Sequence, residues 1–144
     1  MQVLVFLWLL PSCYCSEWNV QGGLFGSVQS SGVKAKLFCN DKPFTKAECS
    51  MYDEDITVDA WLDGPHKPDS LGTCVVEGTK KEISQIDPYI FIRHWCNRTK
   101  TSPIDICIDV PSEYIYSGYN AKQFYYFELE LTTARGSKKC RWLR

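Results

Sequence analysis

Glu82-Ile83-Ser84-Gln85-Ile86-Asp87-Pro88-Tyr89-Ile90-Phe91-Ile92-Arg93-His94-Trp95-Cys96-Asn97 is the stretch whose reading decides the fold. Pro88 can open a strand but cannot donate inside one, so the sequence predicts a strand from about Tyr89 to Cys96. Its two faces are Ile90, Ile92, His94, Cys96 and Tyr89, Phe91, Arg93, Trp95. Large apolar groups on both faces make it a central strand, paired on each edge and covered on at least one side.

Working outward, Ile104, Ile106, Ile108 and Val110 alternate with Asp105, Cys107 and Asp109, which predicts a strand with one buried face. Pro111 stops it, Ser112 to Asn120 reads as a turn, and Phe124 to Leu131 as another strand. Upstream, Val33, Ala35, Leu37 and Cys39 face inward on a half-buried strand, and Asn40-Asp41-Lys42-Pro43 supplies turn residues. A hairpin partner is expected at Lys46 to Tyr52, with Ala47, Cys49 and Met51 inward and Glu48 and Ser50 outward. Asp53 to Gly72, rich in Asp, Gly and Pro, reads as a loop. Gly72 to Val76 reads as a short strand, and Lys81 to Asp87 as a turn or brief helix. Short strands joined by turn-rich links, with no amphipathic helix, indicate an all-β antiparallel β-sandwich of about seven strands.

A chain of 144 residues, 44% hydrophobic, can bury the core of one domain. A formal net charge of −1 offers no general attraction to nucleic acid, so no nucleic-acid partner is expected and any electrostatic partner must meet a local patch. Met1 to Cys15 carries no charge and an apolar run from Val3 to Leu10, and it reads as a secretory signal peptide. The expected organisation is a signal over residues 1–15, a flexible or irregular lead-in over 16–32, the sandwich over 33–140 and a basic tail over 141–144. The mature chain is expected to be soluble, secreted and extracellular.

Export changes the meaning of the cysteines. Cys13 and Cys15 leave with the signal, and Cys39, Cys49, Cys74, Cys96, Cys107 and Cys140 remain; an even number in an exported chain favours disulfides over metal. Cys39 and Cys96 each share a face with aliphatic residues, which suits a bridge between sheets. Cys107 lies on the polar face of its strand, where Cys140 could clip across it, leaving Cys49 and Cys74 as partners or buried thiols. Six cysteines allow fifteen pairings, and these assignments stay open at this point.

The site candidates are few. Asp53, Glu54, Asp55, Asp59, Asp63 and Asp69 could form a hard-cation site or simply a solvated acidic loop, and the EF-hand spacing is absent. No metal or cofactor is expected. His94 reads as a hydrogen-bonded sheet residue and His66 as a loop residue. Tyr89, Phe91, Arg93 and Trp95 could hold a flat apolar ligand, or pack beneath the second sheet or a loop. Arg135, Lys138, Lys139, Arg141, Trp142, Leu143 and Arg144 place five positive charges beside an interfacial aromatic, a combination suited to anionic lipid or sulfated glycan, or else a solvated tail. Asn97-Arg98-Thr99 is a glycosylation sequon at a strand end, where a glycan would keep that end of the sandwich clear of partners.

Val33 to Pro43, Tyr52-Asp53-Glu54-Asp55, Glu82 to Asn97 with its Ile86-Asp87-Pro88-Tyr89 and His94-x-Cys96, and Pro111-Ser112-Glu113-Tyr114-Ile115-x-x-Gly118 together resemble the nematode transthyretin-like family over about residues 30–140. The resemblance implies a prealbumin-type sandwich and secretion; the family's members are mostly of unknown role, and one is described as a bridge between phosphatidylserine on dying cells and an engulfment receptor. Cys49 stands where the family usually has an aliphatic residue, and the hairpin before the central strand is short, which leaves any oligomer copied from transthyretin open. Ala134-Arg135-Gly136-Ser137 echoes the terminal motif of 5-hydroxyisourate hydrolase, but the tyrosine is alanine, the motif is not terminal, and Val33 to Cys39 holds no histidine. The expectation is a non-enzymatic extracellular binding or carrier protein. Its partner would be a protein receptor, a lipid met by peripheral membrane contact, or a small apolar ligand.

Overall fold

Across residues 25–138 and Cys140, which the computed structural model describes, the chain runs through β1 (Ser27–Cys39), β2 (Lys42–Pro43), β3 (Ala47–Asp53), β4 (Ala60–His66), β5 (Thr73–Glu82), β6 (Pro88–His94), β7 (Ile104–Asp109), a 3-10 turn (Ser112–Tyr114), β8 (Ile115–Ser117) and β9 (Tyr125–Glu130). They form two facing sheets. One has the order β4-β3-β6-β7 with antiparallel neighbours throughout. The predicted central strand is interior in it, paired with β3 through Ala47↔His94 to Asp53↔Pro88 and with β7 through Tyr89↔Asp109 to His94↔Ile104.

The second sheet is built around β1. Along one edge it pairs antiparallel with β5 from Ser27↔Glu82 to Lys36↔Thr73. It also takes β8 antiparallel and β9 parallel, from Val33↔Tyr125 to Phe38↔Glu130, so an otherwise antiparallel architecture contains one parallel pair. Val33, Ala35 and Leu37 of β1, Ala47, Cys49 and Met51 of β3, Cys74 and Val76 of β5, Ile90 and Ile92 of β6 and Ile106 of β7 meet between the sheets, all buried. Each fully buried Leu or Ile there contributes about 1.5–3 kcal/mol of transfer free energy.

Several elements differ from the sequence reading. Residues 27–32 of the expected lead-in are already β1, with Ser30 and Ser31 fully buried. Their small polar side chains stand where the apolar period would have appeared, and Gly32 gives room to the Phe124 ring, which an added Cβ would meet at 2.6 Å. The hairpin partner of β1 is β2, not β3. Asn40 and Asp41 take φ of 54° and 61°, the left-handed pair that a two-residue hairpin turn requires, and β3 then crosses to the other sheet. The supposed loop Asp53 to Gly72 contains β4, an edge strand whose pairing with β3 is interrupted by register shifts. β4 also buries Ser50, expected outward: a Cβ on Gly64 would lie 2.8 Å from the Ser50 Cα. β5 continues to Glu82, and the turn over Ser112 to Asn120 holds β8.

The six cysteines pair as Cys39–Cys96, Cys49–Cys74 and Cys107–Cys140. The first two join one sheet to the other. The third fastens the trailing segment to β7, where Lys138 also forms an isolated bridge with Cys107.

Candidate functional site

The acidic stretch is not uniformly solvated: Asp53 and Asp59 are buried, Glu54, Asp55 and Asp63 are partly buried, and Asp69 is exposed. Asp53 is fully buried, and the Lys80 ammonium sits among Asp53 Oδ2 at 2.7 Å, Asp55 Oδ2 at 2.8 Å and Glu82 Oε1 at 2.6 Å. These three carboxylates are close enough together to ligate a metal, but the lysine already stands where the ion would. Burial pulls the ammonium down, yet the hydrogen bonds it donates to the three carboxylates outweigh that and hold Lys80 above the usual lysine range. Asp53 Oδ1 also accepts the Asp87 N–H at 2.6 Å, tying the end of β3 to the start of β6.

The aromatic face of β6 is closed rather than open. Tyr89 is 1% exposed, stacks on Tyr52 at 5.7 Å between ring centroids, and donates its hydroxyl to Asp59 Oδ2 at 2.7 Å. Lys138 lies 4.5 Å over the Tyr89 ring and pairs with both Glu54 and Asp109. Phe91 meets Tyr52 edge-on, Arg93 covers Phe91, and its guanidinium grips Asp105 through two bonds of 2.8 and 3.0 Å. The part of this face from Tyr89 to Arg93 is therefore filled by the protein itself, and only Trp95, beyond the end of β6, is left facing a cleft. Lys138, counted above with the basic tail, is bound inward and lost to it. Arg135 is exposed, and Lys139, Arg141, Trp142, Leu143 and Arg144 lie outside the described residues.

His94 points into the core and is fully buried. Its Nδ1 accepts the Cys96 N–H at 3.3 Å, but Nε2 has no partner among the described residues, so it is only half satisfied, and burial lowers its pKa and keeps it neutral. His66 is not in a loop: it ends β4, 2.9 Å from Asp63. In the hydrolase-like echo, Ser137 Oγ accepts the Asp109 N–H at 2.7 Å and donates to Asp109 Oδ2 at 3.2 Å, and Gly136 lies against Cys107, whose carbonyl oxygen an added Cβ would meet at 2.5 Å. This segment clamps the β7 edge.

Asn97 is exposed, with φ of 52°, and exchanges amide hydrogen bonds with Asn40 at 3.0 and 3.4 Å beside the Cys39–Cys96 bridge. Next to it lies an open cleft of about 490 Å³ lined by Thr45, Lys46, Ala47, Glu48, Lys67, Trp95, Arg98 and Lys100. Three separate stretches, residues 45–48, Lys67 and residues 95–100, meet here. Trp95 N–H donates to the Lys46 carbonyl at 3.2 Å, Arg98 N–H to the Trp95 carbonyl at 3.1 Å, and the Trp95 indole Nε1–H to the Lys100 carbonyl at 3.0 Å. His66 lies opposite Cys49 in the β3–β4 register, so Lys67 falls just beyond the strand. Lys46, Lys67, Arg98 and Lys100 are all exposed, and among the described residues none of them is in an ion pair. The neighbouring acids are engaged otherwise. Asp69 accepts the Leu71 and Thr73 N–H groups, and Glu130 accepts from Thr132, Asp41 and Asn40, bonds led by the Thr132 hydroxyl that hold its carboxyl down at about 2. The sequence reading missed this group, because its cations are scattered singly through links and only Trp95 drew notice.

A family model described as TTR-52, transthyretin-like family, matches residues 34–111. The chain belongs to the transthyretin-like family. Transthyretin-like protein 5 of Caenorhabditis elegans is 32% identical over 127 residues, 87% of this chain and 86% of that protein. Transthyretin-like protein 33 of the same organism is 35% identical over 68% of this chain and 70% of its own length, and transthyretin-like protein 2 is 31% identical over 69% and 72%. A 9R-lipoxygenase from Cyanothece overlays 69% of this transthyretin-like chain on 16% of its own, at 17% identity and a TM-score of 0.35.

Proposed function

We propose that this transthyretin-like chain is an exported, non-catalytic binding protein that meets an anionic partner at the cleft around Trp95. The observation that carries this reading is the gathering of Lys46, Lys67, Arg98 and Lys100 around one indole with no ion pair to any described residue. Several exposed like charges repel one another, and a ligand that neutralises them relieves that cost. Export is supported by the apolar run Val3 to Leu10 and by three cysteine pairs, which persist in oxidising compartments. A non-catalytic role is supported by His94, which is buried away from any substrate, and by the carboxylates of Asp53, Asp55 and Glu82, which are all held by the Lys80 ammonium.

The cleft, rather than the tail, is the favoured contact, because Lys138 is already bound to Glu54 and Asp109. Asn97 does not line the cleft, so a glycan there would narrow access to this end without occupying the ligand's place. In a test, chain collected from the medium of secreting cells is titrated with labelled polyphosphate at two salt concentrations. Salt-sensitive binding that falls in a Lys46→Gln/Lys67→Gln variant is expected, and binding indifferent to that variant would remove the cleft from the reading.

A further inference from the structure

The cleft's chemistry narrows the class of anion. Its four positive groups come from three separate stretches, Lys46, Lys67 and the link that holds Arg98 and Lys100, and a ligand carrying several negative charges answers more of them than a single phosphate does. The indole nitrogen is committed to the Lys100 carbonyl, which leaves Trp95 to contribute ring surface. Aromatic surface in a lining that also holds cations suits a ring with a weakly apolar C–H face and charged groups at its rim. Glu48 is the one acid of the lining, and it sits opposite Arg93 in the β3–β6 register, whose guanidinium partly offsets it.

A bilayer is a poorer match. Apart from Trp95 and Ala47 the lining has no apolar side chain to insert. Four exposed apolar side chains, Ile56, Val58, Phe25 and Ile83, lie at the other end of the sandwich, where Ile56 and Val58 follow the end of β3 and Gly26 abuts Ile83 just after β5; at the cleft end Leu71 is exposed but does not line the cleft.

Resting on the cleft reading above, we propose that this groove takes a sulfated glycan, a sugar ring lying on Trp95 with sulfates reaching Lys46, Lys67, Arg98 and Lys100. The test is calorimetry of the secreted chain with a heparin-derived hexasaccharide, its desulfated and N-acetylated counterpart, inorganic sulfate, and phosphatidylserine vesicles. Four exposed positions allow charge-removing variants that keep the fold, and Lys81→Gln, at the opposite end of the sandwich, matches the change in charge. Expected are binding of the sulfated hexasaccharide, a loss of about tenfold or more on desulfation, a similar loss in Lys67→Gln/Lys100→Gln, and a change under about twofold in Lys81→Gln. Vesicle binding that the double variant abolishes, with no hexasaccharide binding, overturns the glycan and keeps the anionic cleft. Hexasaccharide binding equal in wild type and double variant overturns the site. Binding to none of the probes overturns both readings.

Discussion

His94 is buried whole, with one ring nitrogen hydrogen-bonded and the other facing no polar partner among the described residues. Burial lowers its pKa in the folded chain below the unfolded value of about 6.5, so on acidification the unfolded state takes up the proton first. Stability is therefore full above about pH 6.5 and falls as the pH drops through that value toward the folded pKa. Asp105 works against this lowering and Arg98 with it, and neither reverses it. Urea unfolding at pH 7 and pH 5 should show a lower midpoint at the acidic value, and His94→Gln should flatten the difference. Asp53 carries a different burden. It is buried, holds Lys80 and caps Asp87, so Asp53→Asn should cost about 3 kcal/mol, read as a shift in urea midpoint at unchanged slope.

At the scale of elements, β1 holds the second sheet together. Leu37 sits fully buried on it among side chains of both sheets, and Leu37→Ala should destabilise by about 2–5 kcal/mol in the same assay. Strands with strict alternation were legible from the residues alone: β6 and β7 fall where Pro88, Ile90, Ile92 and Ile106 place them, because one face must leave water. The bridges Cys39–Cys96 and Cys107–Cys140 are among the pairings the sequence suggested, and strand faces alone did not decide between them and the alternatives. β4 was not legible, since an edge strand containing Gly64-Pro65 and interrupted pairing carries turn residues inside a strand. Neither was the burial of Ser30 and Ser31, which polarity argues against. The cleft was hidden for another reason: Lys46, Lys67, Arg98 and Lys100 become neighbours only after the β3–β4 register, the Trp95 bonds and the bridge at Cys96 are set.

Taken whole, the molecule has two unlike ends. One gathers carboxylates around Lys80 beside exposed apolar side chains, and the other gathers around Trp95 cations that have no ion pair among the described residues. Two of the three bridges tie the sheets to each other, across sequence separations of 57 and 25 residues. Cys39→Ser/Cys96→Ser should lose about 2–4 kcal/mol in thermal unfolding. The same change loosens the support of Asn97 and Arg98, so binding at the cleft should weaken alongside stability.

The parallel pairing of β1 with β9 has a consequence for the order of events in the chain's making. Asn40, at the tip of β1, bonds Glu130 across 90 residues, so the earliest strand gains one of its edges only when the last has emerged. At roughly 5–20 residues per second of synthesis, that edge stays open for several seconds. A nascent chain in that interval has no finished sandwich, and the second sheet closes only once β9 has emerged.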